Sequence, residues 1–156
     1  MIRYLGWDDK RARCLGYPAV ATGAREHRTA ELAQGASEAL RTVLSAAGGK
    51  GTIPLQIGML DYAGLRIAAD NRFDPPRWED MTKAVLFANQ QWSAIKSRID
   101  NPNVVDAFDH VLVALQEGAA AHDSAIVGKA ATRELELVDT LEKSVHLVPT
   151  AARPQP

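Results

Sequence analysis

The sequence predicts an all-α protein: an up-and-down antiparallel four-helix bundle with an additional N-terminal helix and an irregular N-terminal arm. Three observations carry this. Apolar residues recur at alternating spacings of three and four through successive segments. The breaks between them hold helix-capping residues, proline or glycine. No stretch shows the period-two alternation of a half-buried strand. The expected organisation is an arm over 1–24, one helical domain over 25–148 with its core bundle at 52–148, and a disordered tail over 149–156.

The arm mixes Tyr4, Trp7 and Tyr17 with Gly6, Gly16, Pro18 and several basic residues, and no helical period holds there. From about Arg25 to Ala47 the chain reads as a helix with a small stripe, Leu32, Ala36, Ala39, Val43 and Ala46, ended by Gly48-Gly49. Thr52 can cap the next helix, with Pro54 tolerated in its first turn. Ile53, Ile57, Leu60, Gly64 and Ile67 line one side of it, and Leu55, Met59 and Tyr62 the other. A helix apolar nearly all round is expected to be covered on more than one side.

For the third helix, Asp74 reads as the cap, Pro75 as the first helical residue, and Phe73 with Trp78 as a hydrophobic staple. Trp78, Met81, Val85, Ala88, Trp92, Ile95 and Ile99 then form an unbroken seam. Asn101-Pro102 restarts the chain after a short break, and Val105, Phe108, Leu112, Leu115, Ala119 and His122 continue the pattern. Short breaks make consecutive helices antiparallel neighbours. Asp123 or Ser124 caps the last helix, whose stripe is Val127, Ala131, Val138, Leu141 and Val145; Pro149 stops it.

Composition narrows the function. Lys and Arg total 18 against 19 Asp and Glu, so the net charge is near zero, unlike the basic excess of nucleic-acid binders. Residues 1–28 carry +3 and the remainder −4. No run approaches the roughly 20 apolar residues of a membrane span. As written, the N-terminus places Asp8, Asp9 and Lys10 where a signal peptide needs apolar residues, so the expected compartment is the cytoplasm. A mis-assigned start or a removed leader would instead make the protein periplasmic or secreted. Cys14 alone supports neither an internal disulfide nor a multi-cysteine zinc site.

Polar residues inside the apolar stripes are the candidate site. Asp61 projects beside Ile57, and Glu134 and Glu142 flank Val138. Buried carboxylates must be paired, hydrogen-bonded or protonated. The simplest expectation is a ladder to Arg66, Arg72, Lys96, Arg98 or Arg133 near the bundle rim. The sharper one is a ligand pocket lined by Asp61, Glu134, Glu142, Trp78 and Trp92. Asp106 and His110, one turn apart, can clamp a divalent metal. The Gly48–Thr52 turn lacks the spacing of a phosphate loop. No Glu-x-x-His pair and no Gly-x-Ser-x-Gly elbow occurs, which removes a ferritin-like di-iron site and a serine-hydrolase nucleophile.

The last two helices resemble those of cytochrome b562 and c′-type four-helix bundles. The resemblance rests on Phe108-Asp109 through Leu112, the small-residue turn Ala119–Asp123, and His146 near the chain end. It implies haem b held between Met59 and His146; no Cys-x-x-Cys-His is present for covalent attachment.

The leading expectation is a non-catalytic bundle that binds a partner helix, itself as a homodimer, or a small ligand. The alternatives are a haem- or metal-binding bundle with an electron-transfer, storage or sensing role, and an enzyme using the carboxylates Asp61 and Glu134.

Overall fold

The computed structural model describes residues 18–46 and 53–146. Among these the chain forms α1 (Pro18–Ala46), α2 (Ile53–Asp70), α3 (Trp78–Ile95), a 3₁₀ turn (Lys96–Arg98), α4 (Pro102–Ala120) and α5 (Ser124–His146), and no strand. The Gly48-Gly49 and Thr52 signals, Lys50, Cys14, Pro149 and the tail lie outside the described residues.

Helices α2 to α5 close into a four-membered ring: α2 packs on α3 and α5, and α4 packs on the same two. Residues 121–123 join α4 to α5, a connection short enough to force antiparallel neighbours. The α3 seam turns inward as its spacing dictates, burying Met81, Val85, Ala88, Trp92 and Ile95. Phe108, Leu112 and Leu115 of α4 meet Val127, Val138 and Leu141 of α5 in the same core. The fifth helix, α1, lies outside the ring on α2, so α2 has three helical neighbours and its all-round apolarity is used.

The helix ends show local chemistry at work. Asn101 Oδ1 accepts hydrogen bonds from the amides of Asn103 (3.1 Å) and Val104 (3.4 Å), with Pro102 in the first turn. Asp123 Oδ1 accepts from Ala125 and Ile126, both at 2.9 Å, and so caps α5. Between these helices His122 takes a left-handed conformation, φ 53°. That lets the amide of Asp123 reach the carbonyl of Gly118 at 2.9 Å and close α4. The His122 ring stacks on Trp78 at 4.8 Å, tying the α4–α5 turn to the start of α3.

Two expected boundaries move. The first helix begins at Pro18, seven residues before Arg25, so the expected irregular arm is helical over 18–24. The third begins at Trp78, with Arg77 before it and no side-chain cap, rather than at Pro75. Pro76 explains this shift, because the residue before a proline is driven out of the helical region. Phe73 is thereby released from its expected staple. It is buried beside α1, under the Arg77 guanidinium at 3.7 Å and edge-on to His27 at 5.4 Å. The expected helix through Ile99 also ends earlier, at Ile95, where the 3₁₀ turn takes over.

Candidate functional site: an outward apolar stripe and an unpaired buried acid

Helix α1 meets the bundle through a mixed face whose polar members form a hydrogen-bonded cluster. Ser37 is buried and donates to the Gln34 carbonyl (2.8 Å), and the Gln34 side chain accepts from Arg77 Nη1 (2.9 Å). Glu38 meets the Arg66 guanidinium of α2 and accepts from Tyr62 Oη (2.9 Å) and Arg41 Nε (3.0 Å). Arg66 also donates to the fully buried Asp70 (2.7 Å) and lies 3.7 Å from Asp80 of α3. One guanidinium therefore joins α1, α2 and α3. Burial raises the Glu38 pKa, but bonds from Arg41 and Tyr62 and the Arg66 charge outweigh it, and the group sits below its ordinary value. At Asp70 burial wins over Arg66 and the carboxyl is held above its ordinary value. A groove of about 380 Å³ runs over this cluster, lined by Arg41, Tyr62, Lys83 and Phe87 among others.

The opposite side of α1 is the apolar stripe expected from the spacing. Leu32, Ala36, Ala39, Val43 and Ala46 are all exposed, Leu32 to 75% and Val43 to 65%. Gly35, between Leu32 and Ala39, opens on empty space. The buried and half-buried positions are instead Ala30, Ala33, Gln34, Ser37, Glu38, Leu40 and Leu44. Leu44 lies against Gly58 of α2, where a Cβ would come within 2.9 Å of it. The face of α1 toward the bundle is therefore mixed, with Ala30, Ala33, Leu40 and Leu44 beside Gln34, Ser37 and Glu38, and a second, smaller apolar stripe is left facing outward.

The second feature is Glu134. It is 0% exposed, and among the described residues neither carboxyl oxygen has a hydrogen-bond partner. It lies against the α2 backbone at Gly64, where a Cβ would fall 1.9 Å from Oε2. Among the described residues Glu134 makes no ion pair with the expected cations. Arg66 serves Glu38 and Asp70, Lys96 pairs with Asp109, and Arg133 pairs with Glu136 at 2.8 Å. Burial, then the neighbouring Asp61 carboxylate, raises the Glu134 pKa well above its ordinary value. Asp61 is itself half-buried, and it is raised by burial and then by Glu142 and Asp139. Glu142 is exposed.

The remaining candidates do not gather into one site. Trp92 is buried against Phe108 (4.3 Å) and donates its Nε1–H to Asp109 (2.8 Å); Trp78 is occupied by His122. The ring contacts of both are thus with neighbouring aromatic side chains, His122 and Phe108. The Asp106–His110 pair is turned on itself, with His110 Nδ1 2.6 Å from the Asp106 carbonyl oxygen and both residues exposed. Met59 is half-buried on α2; His146 ends α5 with its side chain outside the described residues. Among the described residues no cluster of three His, Cys, Asp or Glu side chains is arranged to hold a metal ion. Also among them, no helix is long and apolar enough to cross a membrane.

The Arg66 cluster was not legible from spacing. Only Arg66 and Asp70, one turn apart, gave a local sign of it; Glu38 and Asp80 arrive from other helices. The chain matches no protein-family model, no curated protein and no solved structure.

Proposed function

We propose that the protein is a non-catalytic interaction module that associates with a second copy of itself through the outer stripe of α1. One observation supports this reading: with Ala30, Ser37, Leu40 and Leu44 turned to the bundle and Glu38 and Gln34 bonded to Arg66 and Arg77, the stripe of Leu32, Ala36, Ala39, Val43 and Ala46 is left exposed among the described residues. The Arg66 cluster selects that rotation, a role that ionic contacts fill better than they supply net stability.

The stripe is self-complementary. In an antiparallel pair, Leu32 faces Val43, Ala36 faces Ala39, and Thr29 faces Ala46, so every layer is apolar or small. The flanking positions Ala33, Gly35, Leu40 and Thr42 carry no charge, so no like charges are opposed across the two-fold axis. Alanine and glycine at the centre permit close approach of the backbones. From Leu32 to Ala46 the seam runs about 21 Å at 1.5 Å per residue.

Light scattering on the full chain tests the reading. The expected mass is twice 16.9 kDa, reverting to 16.9 kDa in the Leu32→Glu/Val43→Glu double variant with its helical circular dichroism unchanged. A wild-type monomer at high concentration refutes the second-copy reading, as does a dimer indifferent to both substitutions.

A further inference from the structure

We propose that the seam between α2 and α5 is a pH-sensitive joint, closed while the Glu134 carboxyl is neutral and loosened when that carboxyl must ionise. Geometry carries the proposal. Glu134 is excluded from solvent, both its oxygens are without partners, and it is pressed on the bare backbone of Gly64. A neutral carboxyl can be held there at the cost of its unmade hydrogen bonds. A carboxylate cannot be held there without a cation or several donors.

Among the described residues the surroundings supply neither. From α2 the charged group facing Glu134 is Asp61, an acid. Asp61 in turn faces Glu142 and Asp139 on α5, both acids. The side chains that α3 and α4 send into the core are apolar, among them Met81, Val85, Phe108 and Leu115. Ionisation thus adds negative charge to a seam already acidic on its solvent side. Relief comes by moving α5 away from α2 until water reaches the carboxylate. Gly64 makes the closed state attainable, since any side chain there would collide with Glu134 and Leu135.

The direction with pH follows from proton linkage. An acid whose pKa is higher in the folded state stabilises the fold while protonated. That contribution is complete below the unfolded carboxyl value, about 4.3 for Glu. It is lost as pH rises through the higher folded value. One proton released on opening changes the opening constant by about tenfold per pH unit within that window.

Amide hydrogen exchange on the full chain between pH 5 and 9, corrected for intrinsic exchange, reads this directly. In the wild type, protection along the facing halves of α2 and α5 should fall with pH at up to about tenfold per unit. Glu134→Gln should give a flat profile. Glu134→Met, an apolar side chain of similar length, should do the same, and it separates loss of the charge from a defect peculiar to a buried amide. Asp61→Asn should keep the transition with reduced amplitude, because removing its charge lowers the folded-state pKa of Glu134. Wild-type protection independent of pH would overturn the proposal, and so would an unchanged pH dependence in both Glu134 variants. The readout is local to α2 and α5, so it stands or falls separately from association through α1.

Discussion

The four-helix ring and the outer helix α1 use their regular apolar stripes differently. In the ring the apolar stripes face one another, and polar contacts such as Trp92 to Asp109 sit at the edges. In α1 a mixed face, tied by Glu38 and Gln34 and packed through Ala30, Leu40 and Leu44, meets the protein, and the regular stripe faces away. Both stripes carry the same alternation of threes and fours. The period therefore says that a face is prepared for packing; whether the packing partner lies in the same chain is a separate matter. The ring closes on its own side chains, whereas the α1 stripe stays exposed among the described residues.

Three substitutions sharpen that contrast. The largest effect is expected at Phe108, fully buried and stacked on Trp92. Phe108→Ala should destabilise the fold by about 3–5 kcal/mol in denaturant unfolding, through lost burial and the cavity left behind. Arg66→Met comes next, on the order of 3 kcal/mol, because it strands the buried Asp70 and removes the tie from α2 to Glu38. It should also loosen α1 selectively, seen as faster proteolysis within 18–46 than within α2 to α5. Leu32→Ala is expected to be smallest for the monomer, within about 0.5 kcal/mol, since the side chain is exposed. A loss at Leu32 comparable with that at Phe108, measured at a concentration where the chain is monomeric, would break the comparison.

What could be read from residues alone was largely local. The inward seam from Trp78 to Ile95 and the caps at Asn101 and Asp123 depend on near neighbours, and the structure has them as expected. Pro76 is also a local signal, but the cap-like Asp74-Pro75 pair points to a start three residues before the observed one at Trp78. The rest needed distant partners. The α1 period was visible, but its outward orientation depends on Glu38 finding Arg66, 28 residues away. Glu134 was visible as a polar residue within a stripe. That it is left without a cation depends on Arg66, Lys96 and Arg133 being engaged elsewhere, which no spacing rule reveals.

The proposed pairing of the α1 stripe with itself in one register is tested most directly by cysteine cross-linking. Ala36→Cys and Ala39→Cys chains, each in a Cys14→Ser background, would be mixed and mildly oxidised, with Thr132→Cys on the exposed side of α5 as the comparison. Antiparallel pairing brings positions 36 and 39 face to face within reach of a disulfide. The account predicts efficient cross-linking of the 36/39 mixture and little with Thr132→Cys. Cross-linking of the 36/39 mixture no better than that of the Thr132→Cys chain would contradict it.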